Sequence, residues 1–347
     1  MKRSRTEQTI RPHPRKSSRS STAVLVAVLS LLLLGLTPLV ASPTTSTERI
    51  KLKILPEVET IAAGEPFTIA FKFDIIDEWH LYWTNPGDAG LAPTVRWKLP
   101  EGFSAGELKF PPPEKIPAGP LVSFGYAHQL VLLTEITPPR SLDTGKEATI
   151  EADFDWLVCR EECIPERGAV SITIPTANKS EPHQANQALI DSSRVALPQI
   201  REDWSFIAEE RDDSLIVIAG TEAGNHIPEA IFLFPDQKGV IENAAAQSLT
   251  TTDDGFRLAV PRNSMFTGTL DSLSGILVSD DGWGDDGGRS GIWFTASLAD
   301  EAEDRTASSA SITAGIGIWE ALLFAFIGGL ILNLMPCVLP VLSIKIL

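Results

Sequence analysis

Three features of the 347-residue sequence predict a mostly β fold, with two immunoglobulin-like β-sandwich domains followed by a transmembrane α-helix. Apolar residues alternate with period two through most of the chain, Pro and Gly punctuate the alternating runs, and no long amphipathic helix separates them. A final apolar stretch near the C-terminus has the length of a membrane span.

Residues 1–22 carry seven Lys or Arg against one acid, Glu7, and the run AVLVAVLSLLLLGLTPLVAS comes next. A basic start, an apolar centre and a small-residue exit near Ala41 or Ser42 predict a signal peptide over 1–41, with an uncleaved signal anchor as the alternative. Either one exports the β-rich part of the chain. A first sandwich is expected over 48–176, from Ile50, Leu52 and Ile54, from Phe67, Ile69, Phe71 and Phe73, and from Ile150, Ala152, Phe154 and Trp156. A barrel would show the same alternation. Residues 177–199 are polar with one short possible helix and read as a linker, and a second, cysteine-free strand series over 200–299 predicts another sandwich. An acidic linker, 300–314, leads into 315–347. There, residues 316–335 are mostly apolar, interrupted by Glu320 and Asn333, and would span about 30 Å as a helix.

The formal charge is −16; removing residues 1–41 takes the basic count from 29 to 22 and the acidic count from 45 to 44, leaving −22. That balance argues against nucleic acid as a partner. The eight tryptophans raise a carbohydrate-binding reading, but most sit in strand-like patterns, where core packing accounts for them.

Two of three cysteines, Cys159 and Cys163, lie in DWLVCREECIPERG. Export lets a disulfide persist there. It would close only a five-residue loop, stabilising by about 2 kcal/mol on the chain-entropy estimate, which makes it a poor clamp. A helical turn or compact loop would set both sulfurs on one side, a geometry suited to thiol exchange. An inert local disulfide, a redox-active pair and a metal site completed by His80 or His128 all remain open on the residues alone, although no His spacing completes a zinc pattern. Glu161, Glu162 and Glu166 disfavour thiolate unless Arg160 or Arg167 offsets them. The third cysteine, Cys337, stands between Pro336 and Pro340 in LNLMPCVLP, where paired prolines should kink or break a membrane helix. A buried Cys in such a helix is also an ordinary small apolar filler.

WLVCREECIPERG resembles the cysteine segment of the periplasmic N-terminal domain of DsbD-type thiol:disulfide interchange proteins, especially the copper-sensitivity-suppressor (ScsB) branch. WHLYWTNPGDAGLAPTVRW and FGYAHQLVLLTEI resemble other blocks of that domain, and LNLMPCVLP resembles the first span of the DsbD membrane domain. The resemblance implies a protein-disulfide reductase function, in which Cys159 and Cys163 pass reducing equivalents to thioredoxin-like periplasmic proteins. Cys337 would start a membrane relay fed by cytoplasmic thioredoxin. It implies no cofactor and no metal, and a location in the bacterial inner membrane with residues 42–314 in the periplasm. Phe124 would match a loop capping the pair, and Tyr82 an aromatic position near it, with Tyr126 and His80 as weaker site-lining candidates. Read without the resemblance, these are core or rim residues. The best-known members space their two cysteines more widely. The later spans and the thioredoxin-like domain are not in this sequence, so it is expected to be a piece of a longer protein. The alternative function is a non-enzymatic binding or copper-tolerance module with a structural disulfide.

Overall fold

The structure is a computed structural model describing residues 42–298 except 223, 224 and 285–287. The expected signal peptide, acidic linker and membrane span with Cys337 lie outside the described residues. No helix among the described residues is long and apolar enough to cross a membrane.

The first twelve strands are β1 (Thr44–Ser46), β2 (Ile50–Pro56), β3 (Val58–Thr60), β4 (Phe67–Ile75), β5 (His80–Gly87), β6 (Thr94–Lys98), β7 (Ser104–Ala105), β8 (Glu114–Ala118), β9 (Leu121–Ala127), β10 (Gln129–Thr137), β11 (Glu147–Cys159) and β12 (Cys163–Pro175). All but β3 form two facing sheets, β1-β2-β4-β10-β7 and β12-β11-β5-β9-β8, with β6 also paired to β11. Alternation explains the facing: β2 and β11 bury every second residue over most of their length. Between the sheets, Phe71 and Phe73 of β4 meet Phe154 of β11 edge-on at 4.7 and 5.4 Å, and Phe73 meets Trp156 at 5.7 Å. Such tilted contacts add about 0.5–1.5 kcal/mol per pair beyond area burial.

The connector is packed rather than loose. After β13 (Glu181–Pro182), which pairs with β3, helix α1 (Gln184–Val195) buries Ile190 against Ala70 and Leu133 on the outer face of the first sheet. Arg194 near its C-terminus reaches Glu57 at 2.7 Å and Asp191 at 2.9 Å. Burial alone would raise the Glu57 carboxyl, but hydrogen bonds from Arg194 and Thr68 outweigh it and hold it below its ordinary value.

The remaining strands are β14 (Gln199–Ile200), β15 (Trp204–Arg211), β16 (Ser214–Thr221), β17 (Ile231–Pro235), β18 (Ser248–Thr252), β19 (Gly255–Pro261), β20 (Ser272–Ser279) and β21 (Ser290–Ser297). They make two four-stranded sheets, β14-β21-β20-β17 and β15-β16-β19-β18. Trp204 packs on Phe256 at 5.6 Å and on Trp283 at 5.3 Å, and Phe206 bridges to Phe294 at 5.6 Å.

The two sandwiches share one continuous apolar core through β5, β9 and β17. Phe234 contacts Phe124 at 4.9 Å and Trp83 at 6.3 Å. The buried Asn85 donates to the carbonyls of Pro235 at 2.7 Å and Gln237 at 3.3 Å, and accepts from the Gly87 N–H. Each of its polar atoms is satisfied, so the contact carries little desolvation cost.

Candidate redox site

The cysteines stand at the turn end of the β11–β12 hairpin. The two strands pair in unbroken register from Glu147 opposite Pro175 to Cys159 opposite Cys163, with Arg160, Glu161 and Glu162 forming the turn. Directly opposed residues of an antiparallel pair share a face, which brings the two sulfurs together without a helical turn. They are bonded as a disulfide. Cys159 is 2 % exposed, whereas Cys163 faces solvent. On its other side Cys159 is opposed by His80 of β5. Cys159 therefore stands between its disulfide partner and an imidazole.

Tyr82, two residues along β5, places its hydroxyl 3.5 Å from Cys163 Sγ. A disulfide sulfur has no hydrogen to give, so the phenol donates. Burial raises the Tyr82 pKa, partly offset by a hydrogen bond with Ser123, which keeps the phenol a donor at neutral pH. The His80 ring lies edge-on to it, 5.1 Å away. Gly90, at φ +123°, lies against the Tyr82 ring; a Cβ there would come within 2.2 Å of ring carbons. The segment after β5 thus backs the tyrosine. Asp88 anchors that segment, accepting from the Val122 N–H at 2.6 Å and from Asn243 Nδ2 of the second sandwich at 2.7 Å.

At the rim, Trp79 carries the guanidinium groups of Arg49 and Arg160, 4.5 and 5.4 Å from its ring centroid. Glu166 is held by Arg49 at 3.0 Å, Thr47 at 2.6 Å and Trp156 Nε1 at 3.2 Å. Arg160 pairs with Glu78 at 3.2 Å, and Arg167 lies 3.8 Å from Asp155. Arg160 and Arg167, the two arginines placed to offset charge at the thiols, thus lie against Glu78 and Asp155 instead.

Two candidate residues are not brought to the pair. In β9, Gly125 is opposite Tyr82 and Tyr126 is opposite Leu81, so Phe124 and Tyr126 project to the face away from the disulfide. Phe124 is 0 % exposed and packs on Phe234. Tyr126 donates to the Pro111 carbonyl at 2.7 Å, and burial holds its pKa well above the ordinary value. The expected aromatic cap is corrected accordingly: both rings belong to the core. His80 and Tyr82 do stand at the pair. His128 pairs with the exposed Asp77, and no group of three or more His, Cys, Asp or Glu able to hold a metal occurs among the described residues. Sequence reasoning misses Asp88, Gly90 and Asn243; the turn run NPGDAGLAP marks a loop there, but nothing local marks what it touches.

Residues 51–175, which contain the whole hairpin, match the family model described as thiol:disulfide interchange protein DsbD, N-terminal. Over this part the chain is similar to the DsbD N-terminal family. The N-terminal periplasmic domain of ScsB from Proteus mirabilis is similar in structure, with a TM-score of 0.54, 15 % identity, and coverage of 74 % of this chain and 98 % of that one. That likeness shows a shared fold extending beyond the DsbD-type domain. The Enterococcus faecalis MSCRAMM ACE is also matched, over 75 % of this chain and 98 % of that one, but at 10 % identity and a TM-score of 0.16 it carries no weight. No curated protein matches in sequence.

Proposed function

We propose that the chain acts in thiol:disulfide interchange, passing reducing equivalents through Cys159 and Cys163 to exported thioredoxin-like proteins. The observation that carries this reading is the asymmetry of the pair: a disulfide between an exposed residue, Cys163, and a buried one, Cys159. An exchange reaction needs one sulfur that a partner can reach and one held back to resolve the intermediate.

In the reducing direction, the Cys163 thiolate attacks a partner disulfide, forming a mixed disulfide and releasing one partner thiolate. Cys159, deprotonated, then attacks Cys163 Sγ, reforming the intramolecular bond and expelling the second partner thiolate. Two protons leave the cysteines and two are taken up by the partner, so the exchange balances. The Tyr82 hydroxyl, already on Cys163 Sγ, stabilises negative charge at that sulfur in its thiolate form. A structural role for the bond is less well supported, because the ladder of thirteen opposed pairs already holds the hairpin closed.

The wider reading rests on the sequence resemblance: an inner-membrane protein whose periplasmic sandwiches are recharged through a relay starting at Cys337, ultimately from cytoplasmic thioredoxin. Cys159→Ser should leave a disulfide-linked adduct between Cys163 and a thioredoxin-like partner. Cys163→Ser should leave none. Equal adduct levels in both variants, or none in either, would refute the assigned roles.

A further inference from the structure

Cys159 has to lose its proton where water scarcely reaches, since its side chain is 2 % exposed. Directly across the strand from it is His80, 5 % exposed, whose Nε2 is buried without any hydrogen-bond partner. An orphaned buried polar atom costs about 1–3 kcal/mol and calls for an explanation. The disulfide state supplies one: neither bonded sulfur carries a hydrogen, so no donor exists on that side. Reduction creates an S–H on the residue opposite.

We propose that His80 is the proton acceptor for Cys159, taking its thiol proton as Cys159 attacks the mixed disulfide and returning it to solvent afterwards. The inference rests on the exchange reading above and assigns its buried half a base. The geometry favours this residue over others nearby. Opposed residues in an antiparallel pair have Cβ atoms about 4.5–5.5 Å apart, within reach once the sulfurs separate. The other groups are unsuited or engaged. Tyr82, on the same strand, is a phenol that serves Cys163. Across the site β9 offers only Ala127 opposite His80. At the rim Glu78 is held by Arg160, and Asp77 by His128. Burial also lowers the His80 pKa, keeping the ring neutral and able to accept. As the Nδ1–H tautomer, its Nε2 carries the free lone pair.

In the balanced step, the Cys159 S–H bond breaks and its proton moves to Nε2. The sulfur's electron pair then forms the Cys159–Cys163 bond, and the partner's sulfur leaves with the electrons of the broken mixed disulfide. The imidazolium gives its proton to solvent.

The test uses the reduced full chain with oxidised glutathione as the partner disulfide, acid-quenched over time and read by mass spectrometry. The wild type should form a glutathione adduct on Cys163 that resolves quickly. In His80→Phe and His80→Gln the adduct should form at the wild-type rate but persist about ten-fold longer or more. The Gln variant keeps a polar group and decides the matter if the Phe variant fails to fold. In the unaltered protein, the nitrogen NMR shift of His80 Nε2 should also change between the disulfide and dithiol states. An unchanged adduct lifetime in a folded variant, or an unchanged nitrogen shift, would overturn the role of His80 while leaving exchange intact. A wild type that never forms the adduct would instead remove the exchange reading itself.

Discussion

Phe124→Ala separates two accounts of the same ring. If Phe124 caps the disulfide, truncation opens the site and leaves the fold nearly as stable. The structure demands the reverse. The side chain is fully buried, 4.9 Å from Phe234 and 6.4 Å from Phe232, on the face of β9 opposite the cysteines. Removing a buried Phe from such packing costs about 3–5 kcal/mol, of which the two edge-on ring contacts supply about 1–3. Because both aromatic partners lie in β17, the loss should fall on the seam between sandwiches. Urea unfolding should show a lowered midpoint and, if the seam fails first, a second transition. Alkylation of Cys163 in the reduced, folded variant should proceed within about two-fold of wild type, since nothing covering that sulfur is removed. A variant that loses less than about 1 kcal/mol while its thiol reactivity rises ten-fold would refute the placement of this ring.

Gly90→Ala adds a methyl to a positive-φ residue and drives it into the Tyr82 ring, so Tyr82 should leave Cys163; glutathione adduct formation should slow several-fold, measured at matched pH. Asp88→Ala removes two charge-assisted hydrogen bonds, but Asp88 is exposed, so solvent screening should hold the loss to about 1–3 kcal/mol by urea titration, with Asp88→Asn retaining part of it. His80 has its pKa lowered by burial from 6.5, so the unfolded chain binds its proton first: stability is full above about pH 6.5 and falls as pH drops through the folded value, and His80→Phe should flatten that acid limb in thermal melts. Asp236 behaves oppositely. Burial, partly offset by Ser274, raises its carboxyl, so stability is lost as pH rises from the unfolded value, 3.8, through the folded one, and Asp236→Asn should be the more stable protein at pH 7 in urea titrations.

Much of this architecture is legible because the strands around the site obey simple alternation. β4 and β11 show apolar residues at every second position, and DWLVCREECIPERG shows two thiols at the end of such a strand. Facing in β9 is another matter. VSFGY is buried at all five positions, so the period-two signal that tells inside from outside vanishes, and Phe124 can be assigned to either face. Its second layer of cover comes from β17, more than one hundred residues away. The same distance hides Asn243 and its bond to Asp88. A polar connector likewise gives no hint that Ile190 docks on the first sheet, since one apolar residue on a short helix makes a weak pattern.

The position of the pair within the sheet would let the proposed exchange proceed without refolding. β11 is paired to β6 through Glu151–Asp155 and then to β5 at Cys159, so the cysteine lies at the handover between two neighbours, beyond the central aromatic packing. Opening the disulfide breaks one bond at the end of a ladder whose other twelve pairs remain, while Phe154 and Trp156 stay locked against Phe71 and Phe73. β5 meanwhile serves both sides of the molecule. Its His80 and Tyr82 face the sulfurs, and its Trp83 and Asn85 grip the second sandwich. A strand held at its far end by buried, fully paired contacts cannot easily slide, and a one-residue slip would turn both site side chains to the opposite face. In the proposed exchange the second sandwich would act through register, keeping an imidazole opposite Cys159 and a phenol on Cys163.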